Sequence, residues 1–123
     1  MDLYCDEWLM IDAPAIVIVD DRGGQVGDYI NAVSKAKRIH ALVKIEGDCF
    51  SSCTLWLSMP RQDICITPKT KFGFHSTSIP ATDGVLMAYY PQVIKSWLDN
   101  RLPIQPVYLH ADSLRHYYKQ CEQ

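Results

Sequence analysis

The chain has 123 residues, of which 48% are hydrophobic and 21% charged, and a formal net charge of −2 at neutral pH. A single domain of this length buries about two-thirds of its unfolded surface, and the near-neutral balance lacks the basic stripe that marks nucleic-acid binders. No apolar run approaches the ~20 residues that cross a bilayer, so neither nucleic acid nor membrane is expected as a partner.

The first ten residues, "MDLYCDEWLM", carry acids where a basic n-region would stand. "APAIVIV" is too short for an h-region with a cleavage site. The expected location is therefore cytoplasmic, where the five cysteines, at 5, 49, 53, 65 and 121, are expected as free thiols rather than as a disulfide framework.

"PAIVIVDD", 14 to 21, is a β-branched run expected to form a strand buried on both faces. It ends at Asp20-Asp21-Arg22-Gly23-Gly24, after which Val26, Tyr29, Ile30, Val33 and Ala36 fall at helical spacing. "IHALVKIEG", 39 to 47, reads as a second strand closed by glycine. "SSCTLWLSM", 51 to 59, is apolar almost all round and reads as a buried helix stopped by Pro60. "DICITP" and "KFGFH" read as short strands separated by a turn at Pro68-Lys69-Thr70.

In the second half, 77 to 84 is a loop by composition. Met87, Tyr90, Val93, Ile94, Trp97 and Leu98 then fit a helix that Pro91 either kinks or begins. "RLPIQPVYL" is extended, and "ADSLRHYYKQC" is expected as a last short helix with Asp112 near its start. The alternation of strands and helices implies an α/β fold with parallel pairs, and both polar turns, "DDRGGQ" and "GDCFSS", fall at the carboxyl ends of strands, where open α/β sheets build their sites.

Acyl transfer needs a nucleophile, a base, and donors for the oxyanion. Ser51 stands between a strand and a helix, which would expose its hydroxyl, although taken alone Ser51 or Ser52 reads first as the cap of that helix, serine being a favoured N-cap. The pattern is not the G-x-S-x-G elbow of the α/β-hydrolases. Gly23-Gly24 could aim amides at an anion or supply a turn needing positive φ. His75 ends a strand and is the candidate base; His40, His110 and His116 do not fall at such a position. Cys49 and Cys53, spaced i, i+4, could join Cys65 or His75 in a zinc site, but no paired C-x-x-C is present, and buried cysteine otherwise behaves as a small hydrophobe.

Three segments together resemble one family, the proteolytic subunit of Clp proteases and the crotonase-like proteins related to it. "IVDDRGGQVGDYINAVSKAK" resembles the first strand, Gly-Gly turn and helix of that family. "VKIEGDCFSSCTLWL" resembles its G-x-A-x-S-x-G/A nucleophile turn, with cysteines for two small residues. "RQDICITPKTKFGFHST" resembles the hairpin that ends in its histidine. The cysteine-containing form is closest to short bacterial and phage members, and the similarity covers about residues 15 to 78. It implies a single Clp/crotonase-like domain over 1–123, with repeated β-β-α/βα units and a shortened handle and terminal helix over 79–123.

The resemblance places the nucleophile at Ser51 and the base at His75, with the amides of Gly24 and Ser52 as the oxyanion hole and no metal or organic cofactor. Cys49 and Cys53 are expected to pack behind the serine as thiols. The family's orienting aspartate has no counterpart before "HADSLRHYY", where "LPIQPVYL" contains no acid. Asp99 upstream and Asp112 downstream are the nearest carboxylates. The implied activity is hydrolysis of a peptide or small acyl substrate, with an unfoldase partner left open; the alternative is a catalytically degenerate module kept for binding or assembly. Because relatives place oligomer contacts after the compact part of the fold, self-association through Val85 to Leu98 is expected, with Met87, Tyr89, Tyr90 and Trp97 as contacts unless they cover the domain's own core.

Overall fold

In the computed structural model, which describes residues 14–122, the sheet is organised around β2 (Leu42–Phe50). On one side β2 pairs in parallel with β1 (Ala15–Asp21), and the crossover between them is α1 (Val26–Arg38). On its other side β2 pairs in parallel with two strands in succession, β3 (Ile64–Ile66) along its first half and β4 (Lys71–Phe74) along its second. β5 (Val107–His110) lies antiparallel to β4, and β6 (Lys119–Gln120) lies parallel beside β3. The result is one mixed α/β unit with a six-stranded sheet.

β3 and β4 therefore do not form the expected hairpin. They continue one another along β2, with residues 67–70 bulged out between the two ladders. Buried Thr70 fills that gap: its hydroxyl donates to the Ile45 carbonyl at 2.7 Å and accepts from the Thr67 amide at 2.9 Å. A side chain thus satisfies backbone groups that the interrupted ladder leaves open.

A single core joins α1, the middle of the sheet and the segment after β2, and includes Val33, Ile45, Cys49, Leu55, Phe72, Phe74 and Leu86. The segment Ser51–Ser58 is buried almost all round, as expected, but is wound as a 3-10 helix. Runs of this length are uncommon in 3-10 form; burial of every residue from Ser52 to Leu57, rather than its own hydrogen bonding, keeps it in place.

Other expectations need correction. β1 is not buried on both faces: Ile16 and Ile18 face the core, while Val17 and Val19 are 52% and 57% exposed. The stretch 77–84 is not wholly loop, because α2 (Pro80–Tyr89) starts at Pro80, where proline's fixed φ suits a first turn. Of the two roles open to Pro91 the second holds, since it begins a helix, α3 (Gln92–Trp97), but that helix is separate from α2. The terminal helix is a single turn, α4 (Ala111–Leu114), and the chain then enters β6.

The cysteines differ most from expectation. Cys49 is bridged to Cys53, with Cα atoms 5.2 Å apart, and Cys65 to Cys121, at 4.9 Å. Cys5 lies outside the described residues. None of the four bridged sulfurs is therefore a free thiol or an open zinc ligand. The second bridge forms because β6 pairs beside β3 and sets Cys65 next to the end of the chain. Among the described residues, no helix is long and apolar enough to cross a membrane.

Candidate active site

Ser51 follows β2 directly and has φ +58°, a left-handed conformation that is uncommon away from glycine. Such strain persists where the surroundings hold it in place, and here they do so from several directions. The Cys49–Cys53 bridge spans the turn, with both residues fully buried. The Thr54 hydroxyl donates to the Ser51 carbonyl at 2.5 Å, so its oxygen must accept from the Tyr90 hydroxyl, 2.6 Å away. Burial pushes the Tyr90 phenol up to about 12, against the lowering effect of its bond to Thr54. Gly47, at φ +72°, leaves room for the Asp20 carboxylate, which accepts from the Asp48 amide at 3.0 Å.

The Gly23-Gly24 turn packs on the same spot. Gly23 has φ +95°, and a Cβ there would come 2.9 Å from both the Phe50 carbonyl oxygen and the Ser51 Cβ, and 3.1 Å from the Ser52 nitrogen. The missing side chain brings the two turns together and leaves the Ser52 amide uncovered on that side. Asp21 shapes the approach: its Oδ1 accepts from the Gly23 amide at 2.8 Å and from the Tyr29 hydroxyl at 2.6 Å. Burial, then this bond to Asp21, pushes Tyr29 up to about 12. Gly24 has more room, its nearest neighbour being a Tyr29 ring carbon at 3.6 Å.

Ser52 is buried, and its hydroxyl donates to the Gly24 carbonyl at 2.5 Å while accepting a long 3.3 Å bond from the Gly24 amide. Of the two expected oxyanion amides, that of Gly24 is thus occupied by the Ser52 side chain through a contact near the limit of a hydrogen bond.

His75 follows β4 and is half-buried. Its Nδ1 lies 2.9 Å from the Ser76 carbonyl oxygen. A carbonyl can only accept, so Nδ1 donates and Nε2 carries the free lone pair. No hydrogen bond joins Ser51 to His75 among the described residues.

No family model matches the chain, and no curated protein matches it either. Among solved structures, the chain is similar to a peptidase from Plasmodium falciparum, with a TM-score of 0.61 and 12% identity over 99% of this chain and 88% of that one. A second solved structure, described only as an enzyme, gives a TM-score of 0.60 and 12% identity over 98% and 83% of the two chains. The likeness is one of fold.

Neither carboxylate singled out in the sequence reaches His75. Asp99 is exposed beyond the end of α3 and lines a pocket of about 570 Å³ with Trp97, Arg101 and Ile104, among others. Asp112 is exposed in α4. The carboxylate beside the histidine is instead Asp83, in the first turn of α2. It accepts from the Ser76 hydroxyl at 2.5 Å, the Thr77 amide at 2.7 Å and the Thr77 hydroxyl at 2.6 Å. Burial alone would raise its carboxyl, but these bonds and the neighbouring His75 outweigh that and hold it below its ordinary value. The loop-like composition of 77–84 hides it in the sequence; the signal present there is Pro80 with an acid three residues on, the composition of a helix start. The other histidines, His40, His110 and His116, are exposed.

Proposed function

We propose that this chain is a Clp-like serine peptidase, with Ser51 as nucleophile, His75 as general base, and the Ser52 and Gly24 amides receiving the oxyanion. The observation that carries this reading is the left-handed Ser51 at the strand-to-helix junction, in backbone contact with a glycine turn. A serine needed only to cap a helix takes an extended backbone conformation and does not require this strain. The Nε2 lone pair of His75 suits a base, and nucleophile and base commonly come within hydrogen-bond distance only when substrate binds. The fold shared with a peptidase supports the same reading. The substrate is a peptide or small acyl compound, and the chemistry requires no metal or organic cofactor.

Two bridges among four of the five cysteines favour an oxidising compartment over the cytoplasm. Self-association rests on a smaller patch than the whole helical stripe. Tyr90 and Ile94 are core, whereas Val93 and Trp97 are exposed one turn apart on α3.

One pair of observations favours a degenerate binding module instead: the Ser52 hydroxyl occupies the Gly24 amide, and Ser51 is not bonded to His75. A fluorophosphonate probe separates the two readings. Labelling at Ser51 that disappears in Ser51→Ala supports the peptidase. A wild type that stays unlabelled at high probe concentration supports the module.

A further inference from the structure

The peptide unit between Ser76 and Thr77 is engaged at both ends. Its carbonyl accepts from His75 Nδ1 at 2.9 Å, and its N–H donates to Asp83 Oδ1 at 2.7 Å. The carboxylate thus lies one peptide group away from the imidazole, in line with the hydrogen bond that sets its tautomer. We propose that Asp83 is the positioning residue of His75, acting through this peptide, so that the carboxylate missing from the family's usual place is supplied indirectly from α2. The inference rests on the reading of His75 as a base.

Two physical effects carry it. A carboxylate drawing on the N–H end of a peptide polarises the group, which makes the carbonyl at its other end a better acceptor for the Nδ1 proton; chains of hydrogen bonds strengthen one another in this way. The same carboxylate also fixes where that carbonyl stands. Both its oxygens are used, Oδ2 by the Ser76 hydroxyl at 2.5 Å and Oδ1 by the Thr77 hydroxyl at 2.6 Å. On the opposite side the Ser76 amide donates to the Pro103 carbonyl at 2.6 Å, and the Ser78 amide closes the loop onto the Ser76 hydroxyl at 3.0 Å. The acceptor for the imidazole is therefore clamped from α2 and from the strand-free segment after α3.

The effect is distinct from that of a remote structural ion pair, because it selects which imidazole nitrogen carries the proton. Free histidine side chains favour a proton on Nε2, the form that could not take a proton from Ser51 through that atom. Holding the proton on Nδ1 leaves Nε2 as the base, the task a directly bonded acid performs in a Ser-His-Asp triad.

The test reads the tautomer directly, by nitrogen-15 NMR of the imidazole at a pH where it is neutral, and separately reads the rate of fluorophosphonate labelling. In the wild type the His75 proton is expected on Nδ1. In Asp83→Asn it is expected to redistribute toward Nε2, with labelling slowed on the order of tenfold or more, short of the ~10⁴-fold loss when an acid bonded directly to the histidine is neutralised. Asp83→Glu, which restores the charge, is expected to recover part of both. A wild-type proton on Nε2, or an Asp83→Asn variant with unchanged tautomer and labelling, overturns the proposal. A wild type that is never labelled, yet shows the Nδ1 proton and loses it in Asp83→Asn, supports the relay and removes the peptidase reading alone.

Discussion

The backbone of Gly23 lies directly against Ser51: a Cβ on the glycine would sit 2.9 Å from the serine's own Cβ. The contact makes a sharp distinction between two adjacent glycines. Gly23→Ala combines a left-handed strain of about 1–2 kcal/mol with overpacking of about 1–3 kcal/mol, so chemical denaturation is expected to show a loss of about 2–5 kcal/mol. Gly24→Ala, which meets only a ring carbon at 3.6 Å, is expected to cost under about 1 kcal/mol. A larger loss from the second variant would contradict the packing described for the turn.

Thr54 and Tyr90 form a short buried chain that ends on the Ser51 carbonyl. Thr54→Val leaves the Tyr90 hydroxyl buried without its partner, at about 1–3 kcal/mol. Tyr90→Phe removes the same bond from the other side. Because the two changes break one interaction, the double variant is expected to lose less stability than the two single losses added together. Simple additivity in denaturation experiments would show that the two hydroxyls do not interact.

The two bridges close loops of very different size, with sequence separations of 4 and 56. By loop entropy, replacing Cys65 and Cys121 with alanine is expected to cost about 4 kcal/mol, and replacing Cys49 and Cys53 about 2 kcal/mol. The smaller bridge spans Ser51, so its loss is expected to slow probe labelling as well, while loss of the larger one leaves the labelling rate of the folded protein close to wild type. Protein prepared without reductant should resist alkylation at all four positions after denaturation. Ready alkylation at 49 and 53 would return these residues to the thiol form.

Asp83 carries a defined pH signature. Its folded carboxyl is held below the ordinary value by hydrogen bonds that survive the opposing effect of burial. A carboxyl with a depressed folded pKa contributes stability that is fully present above its unfolded value, near 4, and is lost as pH falls through the folded value. The melting-temperature advantage of wild type over Asp83→Asn is thus expected at pH 6 and should shrink steadily below about pH 4. An advantage that persists undiminished at pH 2 would mean the carboxylate charge is not what matters.

Trp97 is 43% exposed, with its ring 5.7 Å from that of Phe74, and it borders the same pocket as Ile104, which is 87% exposed. Light scattering of the wild type is expected to report an oligomer at tens of micromolar (order of magnitude), and Trp97→Glu a monomer with unchanged far-ultraviolet dichroism, since large exposed apolar patches on monomers are rare. A monomeric wild type would leave Val93 and Trp97 as ordinary surface residues.

Local pattern determined much of this protein. The helical spacing from Val26 to Ala36, the β-branched run of β1, the apolar segment after Phe50 and the strand at Lys71 are each legible because their periods and breakers act over a few residues. The juxtaposition of the Gly23 turn with Ser51 was likewise implied by resemblance among short motifs. What the tertiary structure decided are relations between distant segments. β3 and β4 are neighbours in sequence but align end to end along β2, because β2 is long enough to pair with both. Cys65 meets Cys121 only because β6 returns beside β3. Alternating exposure along β1 depends on what covers each face, which a continuous run of valine and isoleucine does not encode. Asp83 reaches the peptide after His75 because α2 begins at Pro80 and turns its first-turn acid back toward β4, whereas Asp99 and Asp112, the acids chosen by sequence distance, face solvent. Hydrogen bonds are set by separation in space, and sequence separation becomes a guide to it only within a turn or two of chain.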